Sequence, residues 1–154
     1  MDKKLYIGID PGQLGALAAL DASGNVHGVL VHNRVDYLGY LRMMTEGAWN
    51  ITAFVEHLTA RPPMQCSAKT NFSLGDDFGW TCGMLEALNI PYQLVRPATW
   101  KKEFGCTSDK NTSIAVAHRL FPKEDLRRTE RCTKDHDGKA EAMLIAEWGR
   151  RHNG

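Results

Sequence analysis

The chain has 154 residues, 43% of them apolar and 24% charged, with a formal net charge of +1. That is ordinary for a soluble globular protein and long enough for a single domain, over residues 1–154, with its own hydrophobic core. No apolar run approaches the ~18 residues of a membrane span, and because the apolar stretch after Lys3 and Lys4 is cut short by Asp10-Pro11-Gly12, it is not expected to be a signal peptide.

In chain order, residues 4–10 read as a central strand that carries Asp10 to its end, where Pro11-Gly12 forces a turn. Residues 14–20 and 26–31 read as two further strands, joined by the turn residues 21–25. Short connections make these three antiparallel neighbours. In 34–46, Val35, Leu38, Leu41 and Met44 recur at the helical period. Residues 51–56 form a β-branched and aromatic run, again ending on an acid, Glu56. Residues 59–71, with Pro62-Pro63, read as a long loop, and 72–88 as a helix holding Gly75, Gly79 and Gly83. Glycines four apart on one helical face permit close approach of another backbone or a ligand.

A strand follows over 92–95, then a short helix over 98–104. Ser108 or Asp109 is the expected N-cap of a helix running to Leu120, which Phe121-Pro122 stops. Residues 122–136 read as charged loop, and 136–151 as a last helix with Ala140, Leu144 and Trp148 on one apolar stripe. A three-stranded meander followed by a βαβ crossover predicts an α/β fold.

Charge is distributed unevenly. Residues 1–60 carry four basic and six acidic side chains, whereas residues 96–134 carry ten basic and five acidic ones. Arg127, Arg128 and Arg131 belong to that basic half, which suits a phosphate backbone as well as a solvated face. The cysteines, Cys66, Cys82, Cys106 and Cys132, form no CxxC pair, and reduced thiols in a cytoplasm are the expectation. Cys132 and His136 have a zinc-like C-x3-H spacing, but no second pair completes a site.

Two acids, Asp10 and Glu56, end strands that a crossover would make parallel neighbours, and ligands of open α/β sheets gather at such carboxyl ends. Asp137 and Glu141 are four apart and project from one face of the last helix. Singly, each acid is a surface residue. Together, four carboxylates need cations to remain ionised, and oxygen donors suit Mg²⁺. Two such ions would serve phosphodiester hydrolysis.

Ile7-Gly8-Ile9-Asp10-Pro11-Gly12, Phe54-Val55-Glu56 and Asp135-His136-Asp137-Gly138-Lys139-Ala140-Glu141-Ala142-Met143-Leu144-Ile145-Ala146 together resemble the RuvC-type Holliday junction resolvases, in their phage-encoded or RuvC-like branch. Arg96-Pro97-Ala98-Thr99-Trp100-Lys101-Lys102 and Ser108-Asp109-Lys110 resemble that family's two lysine segments. The resemblance spans nearly the whole chain. It implies an RNase H-like fold, a mixed sheet of three antiparallel and then parallel strands flanked by helices. It also implies a cytoplasmic homodimer, in a bacterial or phage-infected cell, that cuts branched DNA with two Mg²⁺ or Mn²⁺ ions per site.

Carried over by position, Asp10, Glu56 and Glu141 are metal ligands, Glu141 standing where the family has an Asp. Asp137 supplies the last acid, or His136 substitutes for it, since the residue three before Glu141 is Gly138. Lys101 and Lys110 match the lysines near the scissile phosphate, and Lys102 could exchange with Lys101. The family's stacking aromatic after the second acid is absent, because His57-Leu58-Thr59 stands there. Phe72, Met64 or Arg61 are the candidates to open a junction. Trp49, Trp80, Trp100 and Trp148 read as core or dimer anchors. The alternatives are action on RNA or an RNA–DNA hybrid, and non-catalytic nucleic-acid binding. An actin-like ATPase or sugar kinase, which shares the I-G-I-D-x-G opening, needs two such domains.

Overall fold

The computed structural model describes residues 3–153. Five strands and five helices follow in the order β1 (Lys4–Asp10), β2 (Ala16–Asp21), β3 (Val26–Val31), α1 (Arg34–Glu46), β4 (Asn50–Glu56), α2 (Ala68–Ala87), β5 (Tyr92–Val95), α3 (Pro97–Phe104), α4 (Lys110–Leu120) and α5 (Asp137–Asn153). They build one sheet in the order β3-β2-β1-β4-β5. β1, β2 and β3 pair antiparallel, whereas β1, β4 and β5 pair parallel, which is the mixed five-stranded sheet expected.

Side chains alternate across a strand, so β1 feeds two cores. Leu5, Ile7 and Ile9 pack on one face with Tyr37 and Leu41 of α1 and Met84 and Leu85 of α2. Tyr6 faces the other way, with Trp100 and Phe104 of α3, Ala117 of α4 and the centre of α5. The same alternation aims the ends of the strands. Asp10 shares the parity of Tyr6, and Glu56 that of Phe54, so both acids turn to the α5 side. The register confirms their adjacency, because Ile9 pairs with Val55 and the acids are the next residues along.

α5 departs from the expected single stripe. Gly138 and every residue from Ala140 to Gly149 are buried, because the helix lies across the sheet with α3 and α4 packed beside it. It comes so near β1 that a Cβ at Gly8 would overlap the backbone of Ala142 and Ala146. Only glycine allows that approach.

The starts of β2 and α2 move, and one of the two N-caps expected for α4 is selected. β2 starts at Ala16 rather than residue 14, since Leu14 belongs to the turn after β1, where Gly12 takes a φ of 110° and the Gly15 amide donates to its carbonyl. α2 begins at Ala68 rather than residue 72, because the Ser67 side chain accepts the Thr70 amide and caps it there. The loop expected over 59–71 is shorter by the same amount. α4 takes Asp109, not Ser108, as its N-cap. Gly75, Gly79 and Gly83 lie on α2 as expected, but beyond the helix's own adjoining backbone and chain neighbours no atom of the described residues sits within 4 Å of a Cβ built on any of them. The close approach they permit is therefore not made among the described residues.

Candidate metal centre and nucleic-acid cleft

Two parallel strands and one helix deliver three acids to one point. Carboxylate oxygens of Asp10, Glu56 and Glu141 lie within 4.8 Å of one another. Glu56 and Glu141 are buried, and Asp10 is part-exposed at the floor of a cleft. Among the described residues this is the one group of three or more metal-ligating side chains so close together. Cys132 and His136 belong to no such group. The Cys132 thiol pairs with the Thr129 hydroxyl, and His136 Nδ1 accepts the Lys139 amide at 3.1 Å in the first turn of α5.

Burial pushes the Asp10 carboxyl well above its ordinary range, and the charges of Glu56, Glu141 and Asp137 push the same way, with Lys110 opposing. Although one edge of Asp10 meets the cleft, its other sides are packed, so desolvation dominates. Burial also raises Glu56, and Glu141 adds to that, while a hydrogen bond from Trp100 and the charges of Lys101 and Lys110 oppose it. The pocket thus holds more negative charge than its lysines offset. An oxygen-only donor set with surplus negative charge fits a hard divalent cation such as Mg²⁺ or Mn²⁺.

The lysines come from α3 and α4. Lys110 Nζ donates to Glu141 Oε1 at 2.8 Å and lies 3.5 Å from Asp137 Oδ2. Lys101 Nζ sits 3.8 Å from the same Glu141 oxygen. Burial works against the Lys110 charge, but Glu141, Asp10 and Asp137 outweigh it and raise its pKa. Asp137 stands at the rim of the cleft, outside the three-acid group. His136 is half-buried, and burial, with Arg128 and Lys139, lowers its pKa against the pull of Asp137.

The cleft has a volume of about 510 Å³. Beyond Asp10, Glu56, Lys110 and Asp137, it is lined by the turn after β1 with Gln13 and Leu14, by Arg61, and by Lys69, Thr70, Ser73 and Leu74 on the first turns of α2. Read from periodicity, 59–71 is loop, which hides Lys69 and Thr70. The signal that could have found them is Ser67, an N-cap residue three before Thr70.

The other candidate DNA-contacting residues are spread out. Phe72 is 78% exposed on α2 but does not line the cleft, and Met64 is exposed in the preceding loop. Lys102 is exposed on α3. Arg127 is engaged by Asp125 and the Glu130 carbonyl, while Arg128 and Arg131 are exposed. Of the tryptophans, Trp100 and Trp148 are buried, and Trp49 and Trp80 are half-buried. No helix among the described residues is long and apolar enough to cross a membrane.

No known family profile matches this chain, and no curated protein matches it. Solved structures do. The RuvC of Thermus thermophilus in complex with Holliday junction substrate superposes with a TM-score of 0.62 at 13% identity, covering 97% of this chain and 96% of that one. A structure of Thermus thermophilus RuvC alone gives 0.56 at 15% identity, with 96% of each chain covered. The fold is therefore the RuvC-type, RNase H-like one.

Proposed function

We propose that this protein is a metal-dependent endonuclease that resolves four-way and other branched DNA. The observation that carries the reading is the convergence of Asp10, Glu56 and Glu141 at the carboxyl ends of two parallel strands, in the fold of a protein solved on a Holliday junction. Asp10, Glu56 and Glu141 would hold the ions, with Asp137 adding a fourth carboxylate from the rim. Mg²⁺ or Mn²⁺, as a pair of ions, would supply Lewis-acid activation of water and neutralise charge on the leaving oxygen.

The chain's own residues do the rest. Lys110 and Lys101 hold two ammonium groups at the acid cluster, where a phosphate entering the cleft would meet them. Positive charge there stabilises the charge that develops in the transition state. Arg61, Lys69, Thr70 and Ser73 line the same cleft as Asp10 and Glu56, a set suited to a sugar–phosphate strand. Arg128, Arg131 and Lys102 are further exposed basic side chains available to a phosphate backbone. His136 stands beside Asp137 at the entrance to α5, with Nδ1 committed to the helix cap. Phe72 and Met64 are the exposed apolar side chains near the α2 entrance that could contact bases at a branch.

The active species in this reading is a homodimer in the cytoplasm of a bacterial or phage-infected cell. A two-fold axis makes its two sites equivalent and its nicks symmetric. The open glycine face of α2 is the surface suited to the partner.

The test is cleavage of mobile and fixed four-way junctions, flap, duplex and RNA–DNA hybrid with Mg²⁺ or Mn²⁺, with cut sites mapped on every strand. Paired symmetric nicks in the junction, leaving 5′-phosphate and 3′-hydroxyl ends, are expected. Asp10→Asn and Glu141→Gln should bind the junction and fail to cut it. Asp10→Asn cleaving at the wild-type rate, or a preference for the hybrid, would overturn the reading.

A further inference from the structure

Trp100 Nε1 donates a hydrogen bond of 2.9 Å to Glu56 Oε2, and both side chains are buried, the indole completely. Among the described residues it is the only hydrogen bond made to the Glu56 carboxylate. A carboxylate on a strand end has rotational freedom about its last torsions, and burial alone does not choose among them. A single donor fixed to Oε2 does, and it leaves Oε1 available to a cation.

The donor itself is rigidly mounted. Pro97 at the start of α3 sets the entry to the helix directly after β5, and the Trp100 ring is locked in the core beside Phe104 and Leu126. Its neighbour Lys101 lies with Nζ 5.3 Å from the Trp100 ring centroid and reaches Glu141. One short helix thus addresses two of the three acids through consecutive residues.

A buried indole N–H needs an acceptor wherever it lies, and most find one without serving any site. Here the acceptor is a carboxylate of the acid cluster, on a different element 44 residues away in sequence. From this geometry we infer that Trp100 is a positioning residue, whose indole N–H orients Glu56 for metal binding. The inference rests on the metal-nuclease reading above. Outer partners of this kind commonly change metal affinity or activity by about 10–100-fold when lost.

The experiment measures Mn²⁺ affinity by calorimetry on the full chain without DNA, and junction affinity in EDTA as a control. Trp100→Phe keeps a buried aromatic ring and loses the donor. Incorporation of 3-benzothienylalanine at position 100 keeps the ring shape as well, with sulfur in place of N–H, and serves if the phenylalanine variant does not fold. Mn²⁺ affinity should fall about 10–100-fold in both, with the metal-free sulfur variant folded at the assay temperature and its junction affinity in EDTA unchanged. Wild-type Mn²⁺ affinity in the sulfur variant overturns the assignment of Trp100 and leaves the nuclease reading standing. A wild-type protein that binds no Mn²⁺ overturns both.

Discussion

Lys110 Nζ lies 2.8 Å from Glu141 Oε1, so an ammonium group occupies the edge of the carboxylate cluster that a cation would use. Its effects on metal binding and on chemistry have opposite signs. A fixed positive charge beside Glu141 repels an incoming cation, yet the same charge stabilises an oxyanionic phosphate. Lys110→Met is therefore expected to bind Mn²⁺ as tightly as wild type or tighter, and to cut a junction at least roughly a hundredfold more slowly. Calorimetry and single-turnover cleavage on the same preparation check both signs. Loss of Mn²⁺ binding in this variant would mean that Lys110 shapes the cluster rather than acting on the phosphate.

The contact of β1 with α5 holds Asp10 and Glu141 at one point, and it depends on Gly8. A methyl group there would overlap the backbone of Ala142 and Ala146, which cannot move aside as a flexible side chain does. Gly8→Ala is expected to destabilise the fold by about 3 kcal/mol or more, at the upper end of overpacking costs. Urea unfolding measures it. Gly39→Ala on α1, where a Cβ meets nothing within 4 Å, is the control and should be neutral or slightly stabilising.

The strands and most helices were legible in the sequence because short apolar runs bounded by Pro, Gly and Asp mark them, and because acids at the strand ends stand out. Asp10 and Glu56 are adjacent for a reason readable in advance, a crossover between parallel strands. The cleft wall formed by Lys69, Thr70 and Ser73 was not legible. Pro62-Pro63 and the polar residues after it mask a helix start that one serine cap determines. Nor could spacing reveal that Trp100 meets Glu56 or that His136 caps α5, because hydrogen-bond partners across elements depend on tertiary placement.

Asp10 and Glu56 are held above their ordinary values of 3.8 and 4.5, mainly by burial. Over the pH window from those values upward, the folded chain binds more protons than the unfolded one, so their contribution to stability falls as pH rises through the raised pKa values. Glu147 runs the other way. Arg150 and Arg151 outweigh its burial and lower its pKa, so its contribution is lost as pH falls below 4.5. In metal-free protein, Asp10→Asn should therefore melt higher than wild type, by a margin that widens as pH rises above 4. Each kcal/mol corresponds to about 2–4 °C at this size. Saturating Mn²⁺ should reverse the order at neutral pH, because the asparagine loses a ligand. Melting curves from pH 4 to 8, with and without Mn²⁺, check both.

The glycine face of α2 can be tested by two substitutions with opposite consequences. A Cβ at Gly79 meets nothing within 4 Å among the described residues beyond the helix's own backbone, and glycine inside a helix costs roughly 1 kcal/mol relative to alanine. In an isolated subunit, Gly79→Ala is therefore expected to stabilise by about 0.5–1 kcal/mol. If a second copy packs its backbone against Gly75, Gly79 and Gly83, a methyl group intrudes there, and a glutamate would bury an unpaired charge. Gly79→Glu should then sediment as a folded monomer at concentrations where wild type is a dimer, and should nick junctions on one strand at a time. A Gly79→Glu protein that remains dimeric would exclude this face of α2 as the interface.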